Sequence, residues 1–291
     1  MPQTTAELIE LLDLKQRDAT TFIGRAPKTI MQRTYGGQVL SQALMAAYGT
    51  INNGRIAHSA HAYFLRPGAA NEEITYYVEV TRDGGTFSSR RISAEQDGRF
   101  LFAMSTNFHD LEDSDLNHAD PLPAVTKQPE AALPFADEMD RRFGASPLWR
   151  EWDALETRYA GDTSAEGGLI NPLHAAAMQV WVKTTGQLPD DPRLHQAVLA
   201  YLSDLTLLSV STLPHPVQMI SNQLQVSSID HAIWFHRPCR ADEWLLYDMV
   251  SPSASHALGF STGRLFQGDQ LIASCAQEGL VRKVDNRAPL T

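Results

Sequence analysis

The sequence contains one supersecondary unit written twice. Residues 58–68 read His-Ser-Ala-His-Ala-Tyr-Phe-Leu-Arg-Pro-Gly, and residues 227–238 read Ser-Ser-Ile-Asp-His-Ala-Ile-Trp-Phe-His-Arg-Pro. His61-Ala62 returns as His231-Ala232, an offset of 170, and Arg66-Pro67 returns as Arg237-Pro238, an offset of 171. Each run is aromatic-rich and is followed by further strand-like segments. A repeat on this scale predicts two related halves that face each other, with function where they meet.

The element pattern repeats with the peptides. In the first half a helix is expected near residues 5–14 and a strand over 30–35. Gly36-Gly37 then leads into a helix over 38–48, where Val39, Leu40, Ala43, Leu44 and Ala47 keep helical spacing. Strands are expected over 55–66, 74–83, 86–96 and 100–110, with Asp97-Gly98 as a hairpin turn. In the second half a strand is expected over 178–185. Asp191-Pro192 starts a helix that runs to about Val210, with Leu194, Val198, Leu202, Leu205 and Leu208 on its apolar face. Strands follow over 223–236, 243–250, 257–266 and 271–281. Residues 110–147 hold Pro121, Pro123, Pro129, Pro134 and Pro147 and read as a long connection. The expected units are 1–112, a Pro-rich connection at 113–147, and 148–291. One helix across a curved antiparallel sheet, twice over, is an α+β architecture.

Composition removes several function classes. With 24 Lys and Arg against 34 Asp and Glu, the formal charge of −10 gives no basic footprint for nucleic acid. No apolar run approaches the length of a membrane span. Cys239 and Cys275 are the only cysteines, which fits neither a metal cluster nor a disulfide framework and suits a reducing cytoplasm. The N-terminal residues lack the pattern of a signal peptide. No metal and no cofactor are expected.

Asp204 is the sharpest single residue. It is placed mid-helix among Ala200, Tyr201, Leu207 and Leu208, where an acid costs free energy unless something satisfies it. One reading is an edge carboxylate; the other is a general base whose pKa desolvation raises. Ser228 lies in a strand with Val226 on the same face, and Gln277 lies in the last strand; both residue types are usually structural. His58, His61 and His231 sit in strands beside aromatics and read as packing histidines.

Six blocks carry a resemblance: Tyr35-Gly-Gly-Gln-Val-Leu-Ser-Gln-Ala-Leu, residues 58–68, Arg82-Asp-Gly-Gly-Thr-Phe-Ser-Ser-Arg-Arg, Ile229-Asp-His-Ala-Ile-Trp-Phe-His-Arg-Pro, Glu243-Trp-Leu-Leu-Tyr and Gln277-Glu-Gly. Together, from about residue 20 to residue 283, they resemble the acyl-CoA thioesterase II family. The resemblance implies a double hotdog fold, in which two long helices are each wrapped by an antiparallel sheet. It implies hydrolysis of fatty acyl-CoA to free acid and CoA, and a homo-oligomer. It further implies an aspartate, a hydroxyl residue and a glutamine that hold the attacking water. These fall on Asp204, Ser228 and Gln277, with serine where threonine is common. Gly36, Gly37, Gln38, His61 and Arg66 are the candidate substrate-binding residues.

Two rival signatures are present. Gly259-Phe-Ser-Thr-Gly263 fits a serine-hydrolase elbow but lies in a strand, and no histidine follows His256. Asn171-Pro172-Leu173-His174 resembles a hotdog hydratase signature, with Leu169 where its aspartate belongs. A non-catalytic acyl-CoA binding module is the remaining alternative.

Overall fold

The computed structural model describes residues 1–217 and 223–284. The first half comprises α1 (Thr5–Leu12), β1 (Lys15–Gln16), β2 (Thr21–Gly24), α2 (Gly36–Tyr48), β3 (Ile56–Phe64), β4 (Ile74–Asp83), β5 (Phe87–Gln96) and β6 (Arg99–His109). The connection adds β7 (Leu133–Pro134) and α3 (Phe135–Phe143). The second half comprises β8 (Leu155–Asp162), β9 (Ala177–Thr184), α4 (Pro192–Ser203), β10 (Leu224–Ser228), β11 (Asp230–Phe235), β12 (Leu245–Ser255), β13 (Leu258–Gln267) and β14 (Gln270–Lys283).

The strands form one sheet, with β3 and β11 paired antiparallel at its centre. Outward from that seam the order is β3-β6-β5-β4-β2 on one side and β11-β14-β13-β12-β9 on the other. The matching order is the duplication in three dimensions. The hydrogen bonds fix its register. Leu65 and Arg66 donate their N–H groups to Leu101 O at 2.7 and 3.2 Å, and His236 and Arg237 donate to Ile272 O at the same two distances. Arg66 Nη1 donates to Phe100 O at 2.8 Å, and Arg237 Nη1 to Leu271 O at 3.0 Å. Each of these pairs differs by 171, as in 272 − 101.

The His-Ala match at offset 170 is therefore out of register by one residue, and in a strand one residue reverses the face. His61 lies on the exposed outer face, edge-on to Trp234 with ring centroids 5.1 Å apart. His231 points inward and is fully buried. The true counterparts are Ala62-Tyr63-Phe64 and Ile233-Trp234-Phe235: Ala62 and Ile233 buried, Tyr63 and Trp234 exposed.

Helices α2 and α4 lie against each other inside the wrap of the sheet. Both are apolar around most of their circumference, as helices with no solvent face must be. They run antiparallel: Gly37 at the start of α2 meets Tyr201 at the end of α4, and Tyr48 at the other end hydrogen-bonds Gln196. A Cβ on Gly37 would stand 2.4 Å from Tyr201 O and 2.6 Å from the Tyr35 ring, so the crossing requires glycine there.

Several expected boundaries move. Residues 30–35 form no strand beyond a single bridge at Arg33, because β2 takes the sheet edge beside β4. The second helix stops at Ser203, and after Thr206 the chain tightens into a 3-10 turn over Leu207–Thr212. The strand expected over 223–236 breaks at Ile229 into β10 and β11. The connection is more structured than its prolines suggest, because prolines begin its elements: Pro129 opens a 3-10 turn and Pro134 precedes α3. Helix α3 carries Asp137 and Glu138 in its first turn, Arg141 and Arg142 in its last, and Gly144 at φ 91° behind it. Strand β8 was not anticipated at all.

Gly37→Ala is expected to lower stability by about 1–3 kcal/mol, the usual cost of overpacking a tight contact. Chemical denaturation monitored through the five tryptophans measures it.

Candidate active site

Asp204 follows the last residue of α4 and caps its C-terminus, rather than lying mid-helix. This is the negative end of the helix dipole, an unfavourable place for a carboxylate. The opposite pole compensates: α2 begins at Gly36, and its first turn has N–H groups with no acceptor inside the helix. The Gly37 N–H hydrogen-bonds the Asp204 carboxylate. A Cβ on Gly36 would stand 2.6 Å from Asp204 Oδ2, so glycine is what lets the helix start approach the acid. The end of α4 is further fixed by two phenols. Tyr35 Oη donates to Tyr201 O and Tyr247 Oη to Ser203 O, each at 2.7 Å.

Ser228 and Gln277 reach the same acid from the sheet. Strand β10 pairs with β14 as Ser228↔Gly279, whereas β11 pairs as Ala232↔Ala276. The partner numbers sum to 507 and 508, so one extra residue is accommodated between them. Such a bulge re-aims the side chains beside it. It is pinned by Asp230 Oδ1, which accepts from Glu278 N at 2.7 Å, and by Ile229 N donating to Glu278 O at 2.9 Å. Gln277 Nε2 then donates both to Asp204 Oδ1 and, at 3.1 Å, to Ser228 Oγ. Gln277 Oε1 has no partner among the described residues.

The three side chains thus converge on one point, and the Asp204 side chain is only 5% exposed. Burial pushes its pKa up to about 6, while hydrogen bonds from Gln277, Gly37 and Ser228 pull the other way. A carboxylate poised near neutrality is suited to taking a proton from water.

A cavity of about 1580 Å³ opens over this group. Asp204, Ser228, Gly36 and Arg66 line it, with apolar walls that include Phe64, Phe102, Phe135, Trp152 and Leu208. Two other candidates lie elsewhere. Gln38 is buried against the Arg25 carbonyl, with Nε2–O 3.5 Å, on the side of α2 away from the cavity. His61 is on the outer face of the sheet, as its register requires. The residues not singled out from sequence are Tyr35 and Tyr247, whose only signal is their place in two of the blocks that carry the resemblance. Asn171-Pro172-Leu173-His174 forms a loop, with Leu173 exposed.

The other end of the helix pair shows what the duplication did not keep. Thr106 stands where Gln277 stands (277 − 106 = 171), and its hydroxyl is used by Ser59 O at 2.9 Å. Ala57 replaces Ser228, and Gly49 caps α2 in place of an acid. Arg90 fills the space, bonding Thr50 and Asp83.

Two helices wrapped by paired antiparallel sheets, with a poised acid beneath an apolar cavity at their crossing, define a double hotdog hydrolase. Residues 157–280 match the acyl-CoA thioesterase family, and residues 25–109 match the acyl-CoA thioesterase N-terminal domain. The chain is 34% identical over 282 residues to acyl-coenzyme A thioesterase 8 of Homo sapiens, covering 94% of this chain and 88% of that protein. It is 33% identical over 283 residues to acyl-CoA thioesterase 2 of Haemophilus influenzae, covering 94% and 96%. The crystal structure of acyl-CoA thioesterase II TesB2 from Mycobacterium marinum superposes with a TM-score of 0.81 at 37% identity, covering 97% of this chain and 100% of that one. The chain belongs to the acyl-CoA thioesterase family and is a thioester hydrolase.

The raised pKa carries a stability consequence. An acid with a folded pKa near 6 and an unfolded value of 3.8 binds more protons when folded between those limits, so its contribution to stability falls as pH rises through that window. Asp204→Asn is therefore expected to be more stable than the wild type at pH 8, by at most about 3 kcal/mol, with the difference vanishing near pH 3. Urea unfolding at the two pH values checks it.

Proposed function

We propose that the substrate is a fatty acyl-CoA and that Asp204, Ser228 and Gln277 hold the water that hydrolyses it. The observation that carries this is the convergence of Gln277 Nε2 on both Asp204 Oδ1 and Ser228 Oγ. Asp204 and Ser228 both line the cavity, where they suit orienting a water between them. The apolar walls suit the acyl chain, and Arg66, with Arg33 beside it on the cavity lining, suits the phosphates of CoA.

Asp204 takes a proton from the water as its oxygen adds to the thioester carbonyl. The tetrahedral intermediate collapses and expels CoA thiolate, which receives the proton held by Asp204. The first-turn N–H groups of α2 that Asp204 does not take suit the developing oxyanion. No covalent enzyme intermediate is needed. We further propose a cytoplasmic homo-oligomer. The exposed Tyr63, Phe100 and Trp234 supply apolar surface for a subunit contact, and the two free cysteines suit a reducing compartment.

Two substitutions test the assignment through release of CoA thiol from acyl-CoAs of graded length. Asp204→Asn should lower kcat by about 10²–10⁴-fold, the range of a lost general base, with KM nearly unchanged. Turnover within a factor of a few of the wild type would remove Asp204 from the mechanism. Ser228→Thr keeps the hydroxyl and should retain full activity or gain slightly, whereas its complete loss would exclude the water-holding role.

A further inference from the structure

We propose that His231 is a positioning residue for the Asp204 carboxylate, carrying its single ring proton on Nδ1 and directing it at that acid. The inference rests on the reading of Asp204 as the base, and it starts from a side chain the mechanism above does not use.

His231 lies on β11 at the central seam, beside Ala62 of β3, with its ring inside the helix layer and no exposure to solvent. Its two nitrogens have different surroundings. Nε2 is 2.9 Å from Ser203 Oγ. Nδ1 has no hydrogen-bond partner among the described residues and stands 3.8 Å from Asp204 Oδ1. A shift of about 0.8 Å brings that pair to hydrogen-bond length.

An imidazole buried this deeply stays neutral; burial lowers its pKa to about 3. It therefore has one proton for two nitrogens. With the proton on Nε2, a bare Nδ1 lone pair would face the carboxylate, and both are acceptors. With the proton on Nδ1, the ring donates toward the acid and Nε2 accepts from the Ser203 hydroxyl. Ser203 can serve either arrangement, because its Oγ also lies 3.0 Å from Ala200 O. The ionised base selects the second one.

The remaining groups around the ring do not compete. From β12, Tyr247 is committed to Ser203 O and to Cys275 Sγ of β14. From the segment before α2, Tyr35 is committed to Tyr201 O. Burial raises the pKa of both phenols and of the thiol, so all three are uncharged near neutrality. Gln277 and Ala62 carry no charge. Among the described residues Asp204 is the one neighbour of His231 that changes charge near pH 6.

The site thus uses an uncharged donor to favour ionisation of a base that its own burial opposes. A full cation there would instead pull the acid to low pKa and weaken it as a base.

Three variants separate this role from packing. An asparagine amide reaches the Nδ1 position, a glutamine amide reaches the Nε2 position, and phenylalanine supplies neither. In pH profiles of kcat/KM, His231→Phe and His231→Gln should move the acid limb up by about one pH unit, the size of a lost hydrogen bond to a charge. Their activity should fall about fivefold relative to wild type at pH 6 and little at pH 8. His231→Asn should keep the wild-type limb. An unchanged limb in all three, or one moved as far by asparagine as by phenylalanine, overturns the proposal. Nitrogen NMR of ring-labelled histidine in the wild-type enzyme at pH 8 decides the matter without any variant. The His231 ring, assigned through its contacts to Ser203, should carry its proton on Nδ1; a proton on Nε2 overturns the proposal. Full activity in Asp204→Asn would mark failure of the base assignment separately, since the NMR result does not depend on turnover.

Discussion

The start of α2 and the end of α4 touch at a spacing only glycine allows, and the rest of the site is arranged around that contact. Without side chains at positions 36 and 37, the positive end of one helix sits directly on the carboxylate at the negative end of the other. The approach distance fixes where Asp204 stands. The sheet then has to deliver a hydroxyl and an amide to the same point, and it does so through a one-residue bulge between β10 and β11. Gly279 belongs to the same geometry, since a Cβ there would stand 2.4 Å from Leu208 and 3.0 Å from Ser227 O.

Duplication supplies two helix ends of each kind, yet a single acid. At the second crossing a glycine caps the helix, a threonine spends its hydroxyl on the backbone, and Arg90 closes the space with ordinary ion pairing. That end stabilises the fold at no cost in buried unpaired charge. The first end keeps a carboxylate that burial would rather neutralise, together with Gln277 Oε1, which has no partner among the described residues. Such tension is what a base working near neutral pH requires. On the proposed role of Asp204, the molecule divides its two equivalent ends between stability and chemistry.

Much of this could be read in the sequence, and what escaped did so for identifiable reasons. Alternating apolar residues and Asp97-Gly98 located the meander, because strand period and turn chemistry are local properties. Gly36-Gly37 marks the start of a helix in the sequence, but the Tyr201–Asp204 segment it meets lies more than 160 residues away and leaves no local trace. The His-Ala repeat misled by one residue: aromatic and Arg-Pro positions set the true offset of 171, and parity then sends His61 outward and His231 inward. Asp204 was placed mid-helix because Leu205, Leu207 and Leu208 continue an apolar pattern that a 3-10 turn also satisfies. Gln38 reads as a substrate-binding residue beside the glycine pair, yet a helix turns about 100° per residue, and by position 38 the side chain faces Arg25. Helix α3 was hidden by prolines that begin elements instead of breaking them.

The central claim is that water, and not the carboxylate of Asp204, attacks the acyl carbon. A single turnover with enzyme in excess over acyl-CoA, in water enriched in the heavy oxygen isotope, tests it directly. Direct attack predicts that the fatty acid released in the first turnover carries one heavy oxygen and that the peptide containing Asp204 carries none. An unlabelled first-turnover acid, with the label found in Asp204, would mean an acyl-enzyme anhydride and would contradict the account.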